Sequence, residues 1–276
     1  MEPQLRHRVE APRAGAEVSA PQGSGLLIID PGTSHPELGC VRGLAEEARA
    51  LGLGAQLCLP ALPEQVERCA AELDPALVGG VGSLELLEAH DPRELAGVII
   101  LGSGANPSGE PAWQAPLGRW LSGLLAQPSA EATPLLAICY GHQLLAQLHG
   151  ITVGRLWEGE KASGLRRAGL DDERLGVNGS CELIVSHRDG FTSLPQGWES
   201  LCSGPALLSR PSASGPLQPV PGVEAMRHQL APWWGFQAHI EAEQSFISAN
   251  EVEAQLPEPY DGQRLIRAFL ALCASS

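Results

Sequence analysis

The sequence predicts an α/β fold: a three-layer sandwich around a mostly parallel central sheet. Three observations carry that expectation. Short, wholly apolar runs recur at Leu26–Ile29, Gly97–Leu101 and Pro134–Ile138, as strands buried on both faces require. Helical periodicity follows each of them, and strand and helix alternate over the first 150 residues, the signature of a layered sheet with its working loops at the carboxyl ends of the strands.

Residues 1–23 mix charge, Pro and Gly without periodicity and read as a flexible leader. One domain is expected over residues 24–276. Its first strand stops at Asp30-Pro31-Gly32, and Leu38, Val41, Leu44, Ala45, Ala48 and Leu51 then follow helical spacing up to Gly52 and Gly54. Ala55–Leu59 is a second strand. Residues 66–87 read as mostly helical, broken by the glycines at 79–82. After Gly97–Leu101 comes the loop 102–109, then a helix carrying Trp113, Leu117, Trp120, Leu121 and Leu124 inward. That loop starts Gly-x-Gly, but Pro107 takes the place of the third glycine, so the dinucleotide fingerprint fails.

The strand 134–138 runs into Cys139 and a helix over 140–149. Short strands are expected at 151–156, 182–185, 223–227 and 234–238, a loop or extended flap over the Pro-rich stretch 205–222, and an amphipathic helix over 261–273.

Composition excludes several function classes. The 276 residues carry 32 acidic and 18 basic side chains, a net charge of −14. A phosphate backbone would be repelled, and no nucleic-acid partner is expected. No apolar run approaches the roughly 18 to 20 residues of a membrane helix, so a cytoplasmic protein with no membrane partner is expected. Seven scattered cysteines lack CxxC spacing and the eight histidines form no HExxH, which leaves neither a local metal site nor a disulfide framework. Lys161 is the chain's one lysine, read here as codon usage rather than function.

The chemistry centres on Ala137-Ile138-Cys139-Tyr140-Gly141-His142-Gln143. A cysteine between a buried strand and a helix sits on a nucleophile elbow, with Gly141 leaving room for close backbone and the helix N-terminus favouring a thiolate. A base is needed. Gly235-Phe236-Gln237-Ala238-His239-Ile240-Glu241, about 100 residues on, supplies His239, with Glu241 two residues later to fix its tautomer.

With these segments in view the chain resembles the class I glutamine amidotransferases over roughly residues 25–245, whose flavodoxin-like three-layer fold matches the expectation above. The loop within Val98–Ala105 lies where the family has its Gly-Gly-Pro oxyanion loop, Ser186-His187-Arg188-Asp189 is similar to its Ser-His-x-Asp segment, and Gly235–Glu241 to its Gly-x-Gln-x-His-Pro-Glu. The resemblance implies that Cys139 attacks the glutamine side-chain amide, His239 shuttles the proton and Glu241 orients it. It implies an oxyanion hole from the backbone of Tyr140 and Gly104, with Gln143, Ser186 and His187 holding the amino-acid end. No cofactor and no metal are implied. The departures are Ala137 for Gly, Ser103 and Ala105 for Gly and Pro, and Ile240 for Pro; a positive φ at Ser103 would misaim the loop until substrate binds. Trp233-Trp234 is expected against the sheet and His142 on a helix face near the site.

Two substrate readings stay open: a glutaminase passing ammonia to a separate synthetase, since no acceptor domain precedes Ser276, or a stand-alone hydrolase of γ-glutamyl compounds. A non-catalytic module keeping the fold is the third.

Overall fold

A computed structural model describes residues 25–156, 161–202, 222–275 and the backbone of 208–209 and 218–219. The expected leader 1–23 and most of the stretch 205–222 lie outside the described residues. In chain order the elements are β1 (Leu26–Ile29), α1 (Leu38–Ala50), β2 (Ala55–Cys58), α2 (Val66–Glu72), β3 (Val78–Gly82), α3 (Leu84–Glu88), β4 (Gly97–Ile100), α4 (Gln114–Leu125), β5 (Leu135–Ile138), α5 (Tyr140–Leu148), β6 (Gly154–Arg155), β7 (Ala162–Asp172), β8 (Val177–His187), β9 (Asp189–Gly190), β10 (Trp198–Ser200), β11 (Leu208–Ser209), β12 (Gln218–Pro219), β13 (Ala225–His228), β14 (Trp233–Phe236), α6 (Gln244–Ala249) and α7 (Asp261–Ala274).

Eight strands form the central sheet in the order β10-β13-β14-β5-β4-β1-β2-β3. All pairings from β14 to β3 are parallel, and β13 and β10 extend that edge antiparallel. Because side chains alternate along a strand, each central strand feeds two cores. Leu26, Ile28, Ile99, Leu136 and Ile138 pack with α1 and α7, while Leu27, Ile29, Val98, Ile100 and Leu135 pack with α4 and α5. The sheet is thus the buried middle layer, which is why its strands read as unbroken apolar runs.

Two expectations need correction. The glycines at 79–82 do not merely interrupt a helix: Val78–Gly82 is the parallel edge strand β3, separating α2 from α3. The strand expected at 182–185 is part of the eleven-residue β8, paired along its whole length with β7. Strand β7 carries two Arg, two Asp and two Gly and hides only alternate side chains, so its sequence reads as polar loop. Trp233 and Trp234, expected against the sheet edge, are instead part of β14 between β13 and β5, their indole N–H groups donating to the Thr133 carbonyl and to Asp172 Oδ2.

Candidate active site

Four carboxyl ends meet at one place: the loop after β1, the loop after β4, Cys139 after β5 and residues 237–241 after β14. Between them and the β8–β9 turn lies a cleft of about 380 Å³.

Cys139 closes β5 with φ 49° and ψ −101°, a conformation non-glycine residues adopt only under constraint. Its N–H donates to the Phe236 carbonyl and its carbonyl caps Gln143 N–H. A Cβ on Gly141 would stand 2.8 Å from the Ile100 carbonyl oxygen, so the turn passes β4 only because residue 141 has no side chain. Tyr140 opens α5, so its N–H has no acceptor within the helix, while its hydroxyl donates to Gln114 Oε1.

The imidazole comes from the opposite wall. A Cβ on Gly102 would meet His239 Cε1 at 2.7 Å and Cys139 Cβ at 3.5 Å, which puts both side chains against one missing methyl. His239 Nδ1 donates to Glu241 Oε1 over 2.9 Å, and the neighbouring Cys139 side chain acts on the same ring. Burial by itself would hold the imidazole neutral, but the Glu241 carboxylate and then Cys139 outweigh it and raise its pKa to about 10. His239 and Glu241 lie beyond β14, in a bridge and turn rather than in the strand, and are fixed from outside it. His239 N–H donates to the Ile184 carbonyl of β8, and Phe246 of α6 packs on the ring with centroids 4.3 Å apart.

The other predicted residues line the same cleft: Gly104, Gln143, Ser186 and His187. Gln143 Nε2 donates to the Asp189 carbonyl and to Gln237 Oε1, and Gln237 Nε2 points at Cys139 Sγ from 3.6 Å. His187 donates through Nδ1 to the Asp189 carbonyl; burial brings its pKa down to about 4, and Nε2 is buried without a partner among the described residues. It is a neutral acceptor. His142 is buried with Nε2 donating to the Val223 carbonyl and does not line the cleft.

Ser103 corrects the expectation of a misaimed loop. Among the described residues positive φ outside glycine is confined to Glu110, Cys139 and Glu251. The Ser103 hydroxyl instead donates to the Pro31 carbonyl (2.6 Å) and accepts from Ala105 N–H (3.0 Å), latching the β4 loop to the β1 loop. Asp30 turns that β1 loop by accepting from Gly32 and Glu37 N–H.

Gly102, Glu37, Phe246, Asn250 and Lys161 also line the cleft and are not marked as site residues by the sequence. The loop motif contains Gly102, but the others sit in no motif and reach the site from sequence-distant elements.

The sequence model of the family "Glutamine amidotransferase class-I" matches residues 99–250, a stretch containing every predicted site residue, and the chain belongs to that family. Among curated relatives, a glutamine-hydrolyzing GMP synthase subunit from Archaeoglobus fulgidus is 31% identical over 144 residues, 51% of this chain and 62% of that protein. Its counterpart from Thermococcus kodakarensis is 38% identical over 112 residues, 39% and 50% of the two. The chain thus spans about half to three-fifths of these relatives. In structure it is similar to a glutamine amidotransferase from Thermotoga maritima (TM-score 0.60, 15% identity, 92% of this chain and 100% of that one). A putative GMP synthase subunit from Thermoplasma acidophilum is similar too (0.58, 17%, 92% and 96%). At such identity the likeness concerns the fold.

Among the described residues no helix is long and apolar enough to cross a membrane, and no group of His, Cys, Asp and Glu could hold a metal ion.

Proposed function

We propose that the chain hydrolyses the side-chain amide of glutamine through a thioester on Cys139 and passes the ammonia to a separate synthetase. One observation carries the reading: Cys139 and the Glu241-bonded His239 ring come together at Gly102.

The amino-acid end lies against Gln143, Ser186 and His187. The sulfur, its proton taken by His239, adds to the γ-carbonyl carbon, and the N–H groups of Tyr140 and Gly104 receive the developing oxyanion. His239 then protonates the leaving ammonia. Water, deprotonated by the same imidazole, opens the thioester to glutamate. Glu241 holds Nδ1–H throughout and stabilises the imidazolium. The synthetase partner is suggested by the names of the relatives.

The test is glutamate release by purified protein, with and without a candidate synthetase. Release should be slow alone and rise with the partner. Cys139→Ala should lower it by about 10⁴-fold or more, and 6-diazo-5-oxo-norleucine should alkylate Cys139 alone among the cysteines. Uniform modification, or unchanged release in the variant, would refute the mechanism.

A further inference from the structure

A run of hydrogen bonds leads from β9 through α5 to the sulfur of Cys139. The Asp189 carbonyl accepts from Gln143 Nε2 over 2.8 Å. The same nitrogen donates its second hydrogen to Gln237 Oε1 over 3.1 Å, and Gln237 Nε2 donates to Cys139 Sγ over 3.6 Å. Both glutamines are buried, and the Gln237 main chain is tied down where its N–H donates to the Glu224 carbonyl.

The direction of the run is set at its far end. An amide side chain can offer a neighbour either its oxygen or its nitrogen. A backbone carbonyl only accepts, so Asp189 turns the nitrogen of Gln143 toward itself. The other hydrogen on that nitrogen requires the oxygen of Gln237, which leaves the nitrogen of Gln237 facing the sulfur. Turning Gln143 over would set oxygen against oxygen at both of its bonds, and turning Gln237 over would set nitrogen against nitrogen. His187 Nδ1 donates to the same Asp189 carbonyl over 3.1 Å, so the anchor is common to Gln143 and His187.

We infer that Gln237 is a further catalytic residue, a neutral donor that stabilises the Cys139 thiolate, and that Gln143, anchored on Asp189, is the positioning residue that keeps its amide in the donating orientation. This rests on the thioester reading and deepens it. An imidazole that takes the thiol proton must pass it on, whereas an amide N–H keeps its own. A thiolate accepts strongly from such a donor and a neutral thioester sulfur weakly. On attack the sulfur's electron pair forms the bond to the γ-carbonyl carbon, and the contact with Gln237 loosens. When the oxygen of water bonds to that carbon and the carbon–sulfur bond breaks, the pair returns to sulfur and the contact tightens again, so Gln237 assists the departure of the sulfur.

The test alkylates the protein with iodoacetamide, which has no amino-acid end, over a pH series, and follows each cysteine by mass spectrometry. In Gln237→Leu the pH of half-maximal alkylation at Cys139 should lie about one pH unit above wild type, the tenfold effect of one charge-assisted hydrogen bond. Gln143→Leu should move it the same way, because Gln237 can then turn its oxygen to the sulfur, and the double variant should move it no further than Gln237→Leu alone. With glutamine, Gln237→Leu should lower kcat about tenfold and leave KM within about twofold.

A Gln237 that merely props Gln143 would raise KM and leave the alkylation profile in place, and that result overturns the inference. A profile moved by Gln237→Leu but not by Gln143→Leu overturns the positioning role. Cys40, Cys58, Cys69, Cys181 and Cys273 are buried, so their labelling marks a variant that has opened, and Gln237→Met, of similar reach, then replaces it with the same expectations. An unmoved profile in a protein whose wild type hydrolyses glutamine defeats this inference alone. A wild type that releases no glutamate and is not alkylated by 6-diazo-5-oxo-norleucine defeats the thioester reading instead.

Discussion

The Tyr260 hydroxyl donates a 2.6 Å hydrogen bond to the backbone carbonyl of His239 and accepts one of 3.0 Å from the Ile184 N–H. Tyr260 is buried, so this one oxygen ties the segment carrying the imidazole to β8. Tyr260→Phe strands the buried Ile184 N–H, at about 1–3 kcal/mol for a group left unmade, while the His239 carbonyl keeps the Ala242 N–H. The expected outcome is a melting temperature lower by about 2–8 °C, together with a fall in kcat larger than any change in KM. Scanning calorimetry and steady-state glutaminase assays check both.

Gly102 is the spacer between Cys139 and His239, the proposed nucleophile and base. The methyl of Gly102→Ala would overlap His239 Cε1 at 2.7 Å, and the buried ring, packed on Phe246 and bonded to Glu241, has little freedom to retreat. A shift of about 1 Å at a catalytic group costs about 10²-fold, so kcat should fall by about that factor with the fold retained. A variant as active as wild type would show that the imidazole moves freely.

The pH dependence of stability should carry the mark of His239. Its pKa is raised from 6.5 unfolded to about 10 folded. A raised basic group stabilises fully below its unfolded value and loses that contribution as pH climbs through the folded one. Denaturation midpoints should therefore decline from about pH 7 toward pH 10, and Glu241→Gln should flatten this slope while lowering kcat by about 10³–10⁴-fold. A slope unchanged in Glu241→Gln would assign it elsewhere.

Glu224 gives the opposite kind of signature. Among the described residues both its carboxyl oxygens are buried without partners, and burial raises its pKa from 4.5 to about 7. For this acid the charged form is the costly one, so wild-type stability should fall as pH rises from about 4.5 to 7 and level off above. Glu224→Gln should be the more stable protein at pH 8, with the advantage gone near pH 4. Urea melts at the two pH values decide it.

What the sequence made legible follows its physics. Leu26–Ile29, Gly97–Ile100 and Leu135–Ile138 are buried on both faces, and burial of that kind writes itself as an apolar run. Strand β7, with one face open, does not, and β3 hides in glycines. The residues that meet at the cleft are readable where they lie in a motif: around Cys139, around His239, in Ser186–Asp189 and in the loop holding Gly104. Glu37, Phe246 and Asn250 were not, because α6 and the β1 loop bring them in through tertiary contacts that no local pattern encodes. The role of Ser103 needed coordinates as well: a serine in place of glycine reads as strain, whereas its hydroxyl serves as a latch.

The left-handed backbone at Cys139 sets durability against turnover. A residue held there costs about 1–3 kcal/mol, recovered from the contacts around it. Cys139→Gly would release that tension and should give a chain that melts higher than Cys139→Ser while being equally inert. Under the proposed mechanism, improving this protein's ruggedness at Cys139 and keeping it alive as a catalyst are therefore opposed goals, and an engineer would have to find the extra stability somewhere else in the sheet.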